Sequence, residues 1–380
     1  VRGSSKALLV LTLLLAAAAI LGFGQWWLRQ NESSTAADIP TLESYPPEAA
    51  AWLKRLVAVK LNEQLLTTRA EREAFRGLID DPALTTGQSA TLLFWSIIRR
   101  INIRDESLNR VLHDDQFIAH ASHEWLFTLG RMSYFRAHPY APQRYTNEYL
   151  LRGTELCNLA RQAEPSVALY HLYCASALHY MRLDARRDDD AERSSTLLSR
   201  IVSVVQDFIA AEETGTLMPP PYLEFYHSES DLPAGLKHGD NARLAWGPGM
   251  HYALLVGADL KDYIREDPSP ERLALLLRFY RQLLSIEPPV ADTFDVTVLD
   301  MVQYLREELP QVMPDTAEAV DLSTRQLAEL SDSLQDVVGY SEANPIFFFT
   351  DMGRYEEERR LAYRGSLRLE IDTILRELGE

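Results

Sequence analysis

Between residues 197 and 208, apolar side chains fall at Leu197, Leu198, Ile201, Val204, Val205 and Phe208. That spacing makes one stripe on a helix of 3.6 residues per turn. It returns in Leu327, Leu330, Leu334 and Val337, and again in Leu367, Ile371, Ile374, Leu375 and Leu378. No segment alternates polar and apolar residues over a strand length between hairpin turns, as a half-buried sheet requires. The pattern predicts an all-α body over residues 48–380. Helices are expected over 47–66, 68–79, 86–101, 105–113, 115–137, 143–164, 166–184, 190–213, 248–265, 269–286, 293–309, 316–338 and 351–379. The short breaks between most of them predict stacked antiparallel hairpins, an α-solenoid, with a closed α/α toroid as the alternative.

Ahead of this body, Arg2 and Lys6 precede an uninterrupted apolar run over 7–24, and Trp26, Trp27 and Arg29 follow it. With the two Trp side chains as an interfacial anchor, residues 7–27 match the roughly 20 residues that cross a bilayer. Residues 1–29 are thus expected to form a single transmembrane signal anchor. The basic flank puts the N-terminus in the cytoplasm and the rest in the periplasm of a bacterial inner membrane. A cleaved signal peptide is the other reading, but its apolar region is usually about 7 to 15 residues and ends in a small-x-small site. Here the run ends in Gln25-Trp26-Trp27. Residues 30–47 are polar and hold Pro40, Pro46 and Pro47, the composition of a flexible tether.

The charge narrows the partners. Against 55 Asp and Glu stand 38 Lys and Arg, a formal net charge of −17. Phosphate-rich ligands are repelled by such a surface, which argues against nucleic acid. The two cysteines, Cys157 and Cys174, flank a Glu164-Pro165-Ser166 break at equal distance. In an antiparallel hairpin they stand at similar height, as a disulfide in an oxidising compartment requires. Two buried thiols packed as small apolar groups are the alternative.

Two patches resemble the tetratricopeptide repeat. The run AEPSVALYHLYCASALHYMRL, residues 163–183, is similar to the Pro-led turn and first helix of such a repeat. The run RFYRQLLSIEPP, residues 278–289, is similar to the end of its second helix, with Tyr280, Leu283 and Pro288 at the aromatic, small and Pro positions. Leu283 departs from the small residue of the pattern, and no period of about 34 residues runs through the chain. The resemblance implies a helical-repeat scaffold that binds proteins.

The longest stretch without helical spacing is 215–250, anchored by Tyr222, Phe225, Tyr226 and Trp246 and expected to lie across the body as an ordered flap. At its end Gly247 caps and Pro248 starts a helix, since the first helical position needs no N–H donor. The N–H groups of Gly249 and Met250 then face outward, where the helix dipole favours an anion. With Lys237, His238 and Arg243 nearby, and Tyr226 and Trp246 as walls, this forms a candidate site for a carboxylate or small anion; internal capping by Asp240 is the competing reading.

The same flap supports a catalytic alternative. Glu229, Asp231 and Asp240 lie beside His227, His238, Tyr226 and Trp246, a set suited to gripping a glycan and supplying acid and base. The run ARLAWGPGMHYALLVG is similar to the Trp-and-Gly helix starts of α/α-toroid sugar hydrolases and lyases, which implies an enzyme acting on an envelope or extracellular polysaccharide. His113, His120, His123 and Glu124 offer imidazole and carboxylate ligands for zinc, but without the paired spacing of a metalloprotease helix; surface or packing histidines are the favoured reading. No cofactor is expected. The apolar run Pro345-Ile346-Phe347-Phe348-Phe349 reads as a plug on the core, or as a docking patch. Anchor, tether and stacked hairpins together favour a non-enzymatic scaffold or assembly subunit of an envelope complex.

Overall fold

The computed structural model describes residues 44–58, 68–98, 101, 103–137, 146–211, 253–285, 292–322, 325, 327–332, 334–335 and 354–379. Their regular elements are helices: α1 (Pro47–Ala58), α2 (Arg69–Ile79), α3 (Thr86–Ile98), α4 (Asp105–Leu112), α5 (Asp115–His120), α6 (His123–Ala137), α7 (Glu148–Ala163), α8 (Ala168–Arg187) and α9 (Ala191–Ala210) come first. They are followed by α10 (253–266), α11 (Pro270–Leu284), α12 (Asp292–Gln303), α13 (Leu309–Val312), α14 (Pro314–Ala319), α15 (327–332) and α16 (Arg354–Glu377). The all-α expectation holds.

Many of these helices begin where a side chain can satisfy an orphan N–H group. Thr68 and Glu71 form a reciprocal capping box at α2. Asn147 Oδ1 accepts from the Leu150 N–H at α7 (3.0 Å), and Asp190 Oδ1 from the Arg193 N–H at α9 (2.9 Å). Ser269 caps α11, with Pro270 in its first turn. Between α8 and α9, Asp189 takes a left-handed conformation (φ 54°), which lets two long helices reverse in a few residues.

Helices α6 and α7 cross antiparallel at nearly bare backbone. A Cβ on Gly130 would lie 2.6 Å from Cys157 Sγ and 3.2 Å from the Gly153 carbonyl oxygen; one on Gly153 would lie 3.0 Å from the Gly130 carbonyl oxygen. Ser133 Oγ, one turn on, donates to the Tyr149 carbonyl at 2.6 Å. Only glycine permits this approach.

From α6 onward the helices fall into two rows. In the first, α6 meets α8 through Phe127–Tyr170 (ring centroids 4.5 Å apart) and Tyr134 Oη–Ser176 Oγ (2.9 Å). Next, α8 meets α10 through His179 and Asp259 (2.8 Å), and α10 meets α12 through Lys261 Nζ and Asp300 Oδ2 (2.5 Å). In the second row, Arg161–Asp207 (2.8 Å) joins α7 to α9, Phe208–Phe279 (5.3 Å) joins α9 to α11, and Arg281–Asp372 (2.7 Å) joins α11 to α16. Residue numbers rise together across the α6–α8, α8–α10 and α9–α11 contacts, so these neighbours run parallel within each row. The N-terminal helices α1, α2 and α4 gather on α3, which packs on α6, with Trp95 and Trp125 wholly buried.

Several boundaries differ from expectation. The helix expected over 115–137 is two, because Ala121 is extended and Ser122 restarts the chain, its Oγ accepting from the Trp125 N–H (3.4 Å). The helix expected over 293–309 widens into a π turn at Tyr304–Glu308 before continuing as α13. Pro310 supplies the reason: it has no N–H, and its ring presses on the carbonyl four residues back. The ladder relieves this by one extra residue, the Leu309 N–H bonding to the Tyr304 carbonyl. The helix expected over 316–338 starts earlier, at Pro314, and stops at Ala319, with Asp321 left-handed (φ 49°). The end of the expected tether is held: Tyr45 is buried, and Gln88 Nε2 donates to the Ser44 carbonyl at 2.7 Å. Among the described residues no helix is long and apolar enough to cross a membrane. The anchor expected at 7–27 lies outside them, as does the 345–349 run.

Candidate functional site

Helix α10 carries three faces. Ala253, Val256, Leu260 and Ile264 are buried and form its apolar stripe. Gly257 sits against α11 so closely that a Cβ there would come within 2.5 Å of Tyr280 Oη. The second face holds Asp259, Asp262 and Glu266, one helical turn apart, and it meets His179, Arg182 and Arg186, which have the same spacing on α8. The third face carries Lys261 and Arg265 toward α12 and its π turn.

The seam between α8 and α10 is built on two aspartates. Asp259 is buried; its Oδ2 lies 2.8 Å from His179 Nδ1, and its Oδ1 accepts from Arg182 Nη1. A carboxylate can only accept, so His179 Nδ1 carries a proton toward Asp259. Asp262 is the hub: Oδ2 accepts from Arg182 Nη1 (3.1 Å) and Arg186 Nη2 (2.7 Å), and Oδ1 from Arg265 Nη1 (2.9 Å). Burial works against the charge on Asp262, but the hydrogen bonds and positive charge of Arg186, Arg182 and Arg265 outweigh it and hold its carboxyl below the usual range.

Arg182 is 1% exposed, and its Nε and Nη2 have no hydrogen-bond partner among the described residues, with Glu266 Oε1 3.5 Å from Nη2. On the far side of α10, Lys261 Nζ donates to the Asp300 carbonyl (3.1 Å) and side chain and lies 5.1 Å from the Tyr304 ring centroid; Arg265 pairs with Glu308. Burial raises the Tyr304 hydroxyl to about 12, with Arg265 opposing and Glu308 adding to it.

Chemically, Asp259 orients His179 as a carboxylate orients a catalytic imidazole, but among the described residues no hydroxyl or thiol bonds to that ring. Acidic and basic groups on the three helices answer one another. The arrangement holds helices in register. A second buried cation, Arg131 of α6, lies 5.7 to 5.8 Å from the ring centroids of Phe94, Phe127 and Tyr173.

The sequence-predicted site residues fall in three groups. Tyr226, Glu229, Asp231, Lys237, His238, Asp240, Arg243, Trp246, Gly249 and Met250 lie outside the described residues. Of the weak metal candidates, His113 follows the end of α4, His120 ends α5 and His123 starts α6, so no continuous helix carries them. His120 Nδ1 is 2.9 Å from the Gln116 carbonyl, and His123 Nδ1 is 3.0 Å from Tyr170 Oη, with Glu124 3.6 Å from its other nitrogen. Among the described residues no group of three His, Cys, Asp or Glu side chains is placed to hold a metal ion.

Cys157 and Cys174 are buried free thiols. Burial pushes both up, Cys157 well above the usual thiol value, with Cys174 adding and Arg131 opposing, and Cys174 to about 12, with Arg161 opposing. The α8–α10 seam was missed in the sequence, although its signal is there: two stripes of opposite charge, each at i, i+3 and i+7. No protein-family model, characterised protein or solved structure matches the chain.

Proposed function

We propose that this chain is a membrane-anchored helical scaffold that binds protein partners, an assembly subunit of a bacterial envelope complex. Residues 7–27 anchor it in the inner membrane with the N-terminus in the cytoplasm, and the body of 48–380 stands in the periplasm. The observation that carries this reading is the pair of helix rows. Successive hairpins α6–α7, α8–α9 and α10–α11 each contact the next, first helix to first helix and second to second. That is how solenoids of the tetratricopeptide kind extend, and their use is the long surface that such stacking creates.

The two repeat-like patches fit this arrangement: residues 163–183 cover the turn into α8 and most of that helix, and 278–289 begin in the last turns of α11. Most polar groups of the α10 seam bond to one another, which supports a structural use of the buried charge over a catalytic one. The partner surface we propose is the open side of the rows together with residues 215–250.

Replacing residues 1–29 by a cleaved export signal, which still delivers the body to the periplasm, tests the anchor. The shortened chain is expected in the soluble fraction with its partner still bound. A shortened chain that stays on the membrane, or that is soluble and binds nothing bound by the full chain, counts against the proposal.

A further inference from the structure

We infer that the α8–α10 seam is a hinge, at which the array opens by rotation of α10, α11 and α12 as one body about the α9–α11 contact. The inference needs no partner and stands apart from the proposed function.

The joints on the two sides of the seam differ in kind from the seam itself. On the N-terminal side, α8 is fixed to α6 by aromatic packing, Phe127 against Tyr170 and Tyr173 with centroids 4.5 and 5.0 Å apart, and by Tyr134 on Tyr173. Helix α7 is locked to α6 by the glycine crossing, so α6 to α9 form one body. On the C-terminal side, α10 is fixed to α11 by its apolar stripe and by Gly257 under Tyr280, and to α12 by Lys261 on Asp300 and Arg265 on Glu308. These three helices form a second body.

Between the bodies the second row has an apolar joint, Phe208 on Phe279, supported by Gln282 Nε2 donating to the Ala211 carbonyl at 2.9 Å. The first row is joined there by the hydrogen bond of His179 to Asp259 and the ion pairs of Arg182 and Arg186 with Asp259, Asp262 and Glu266. Buried ion pairs give back little net energy after desolvation, and Arg182 Nε and Nη2, which make no hydrogen bond among the described residues, lower the return further. Water entering an opened seam solvates the buried charges of Arg182 and Asp259, while Arg186 and Glu266 at its edge are already exposed. An aromatic joint gains nothing comparable.

The test places spin labels at Glu192→Cys and Asp267→Cys in the full chain held in mild detergent, with the buried native thiols left unlabelled. Both positions are exposed and lie at the same end of the seam. Pulsed dipolar spectroscopy should show a main short distance and a minor longer one. Asp262→Asn, which removes the charge shared by three arginines, should raise the ratio of long to short by about tenfold or more, with helicity by circular dichroism unchanged. Asp262→Glu, which keeps the charge, should raise it less. A single short distance in Asp262→Asn with helicity intact overturns the hinge. So does loss of helicity in that variant, because it shows the seam to be part of one cooperative core.

Discussion

Replacing Gly130 by alanine isolates the contact on which the α6–α7 hairpin depends. In an open helix, Gly→Ala stabilises by about 1 kcal/mol, because alanine loses less backbone freedom on folding. At Gly130 the new methyl would meet Cys157 Sγ at 2.6 Å, and behind it the Gly153 carbonyl oxygen at 3.2 Å and the Cys157 backbone nitrogen at 3.3 Å. The sulfur can rotate only within a buried, filled site, and the two backbone atoms cannot move without moving α7. Overpacking of this kind costs about 1 to 3 kcal/mol.

The clash is worked against the propensity gain, and Gly130→Ala is expected to lower stability by about 1 to 2 kcal/mol. Gly365 supplies the control, since a Cβ there meets nothing within 4 Å on the exposed side of α16. Gly365→Ala should therefore raise stability by about 0.5 to 1 kcal/mol. Both are read as shifts of the urea midpoint at unchanged slope. Adding Cys157→Ala to Gly130→Ala removes the nearest atom and should recover about 1 kcal/mol relative to the sum of the single changes. If Gly130→Ala stabilises as Gly365→Ala does, α6 and α7 do not cross at bare backbone and the hairpin geometry is wrong.

Other substitutions reach the remaining joints. Phe208→Ala removes the ring that packs on Phe279 and should cost about 3 to 5 kcal/mol by denaturant titration; a loss below about 1 kcal/mol would place that ring at the surface. Asp259→Asn leaves the buried Arg182 and His179 without their shared anion and is expected to cost about 3 to 5 kcal/mol, whereas Arg182→Met combined with Asp259→Leu should cost less than the single change; equal losses would mean that packing, not charge, governs the site. Because the Asp262 carboxyl lies below its unfolded value of about 3.9, its contribution is full at neutral pH and is lost as pH falls through the folded value; wild type should therefore lose more stability between about pH 5 and pH 3 than Asp262→Asn, and parallel curves would contradict the assignment. Alkylation without reductant should modify Cys157 and Cys174 only after unfolding, and then at both positions; an unchanged mass after unfolding would show them bonded to each other.

Much of the fold was legible because helix burial writes itself into the chain every three to four residues. The stripe through Leu197, Ile201, Val204, Val205 and Phe208 is the buried face of α9, and caps such as Asn147 and Asp190 sit one residue before their helices. What escaped was set by competition between neighbours too close for periodicity to register. Ser122 interrupts an apolar pattern that itself continues, and Pro310 is answered by a wider turn where sequence rules anticipate an end. The seam escaped for another reason. His179, Arg182 and Arg186 read as the polar side of a helix, as do Asp259, Asp262 and Glu266; either stripe alone describes a solvated face. Only their pairing across nearly eighty residues buries His179, Arg182 and Asp259, and that pairing follows from the rows. The flap residues from Tyr226 to Met250, which held the most chemistry in the sequence, lie outside the described residues.

The central claim, that the helical body serves a protein partner at the membrane, is tested most directly by native mass spectrometry of the full chain taken from membranes in mild detergent at its natural level. The account predicts a recurrent complex in which this chain and another envelope protein stand in fixed whole-number ratio, retained when Glu229→Gln and Asp240→Asn are introduced. A chain that emerges alone, and that turns over an envelope or extracellular glycan in a manner abolished by those two substitutions, would contradict it.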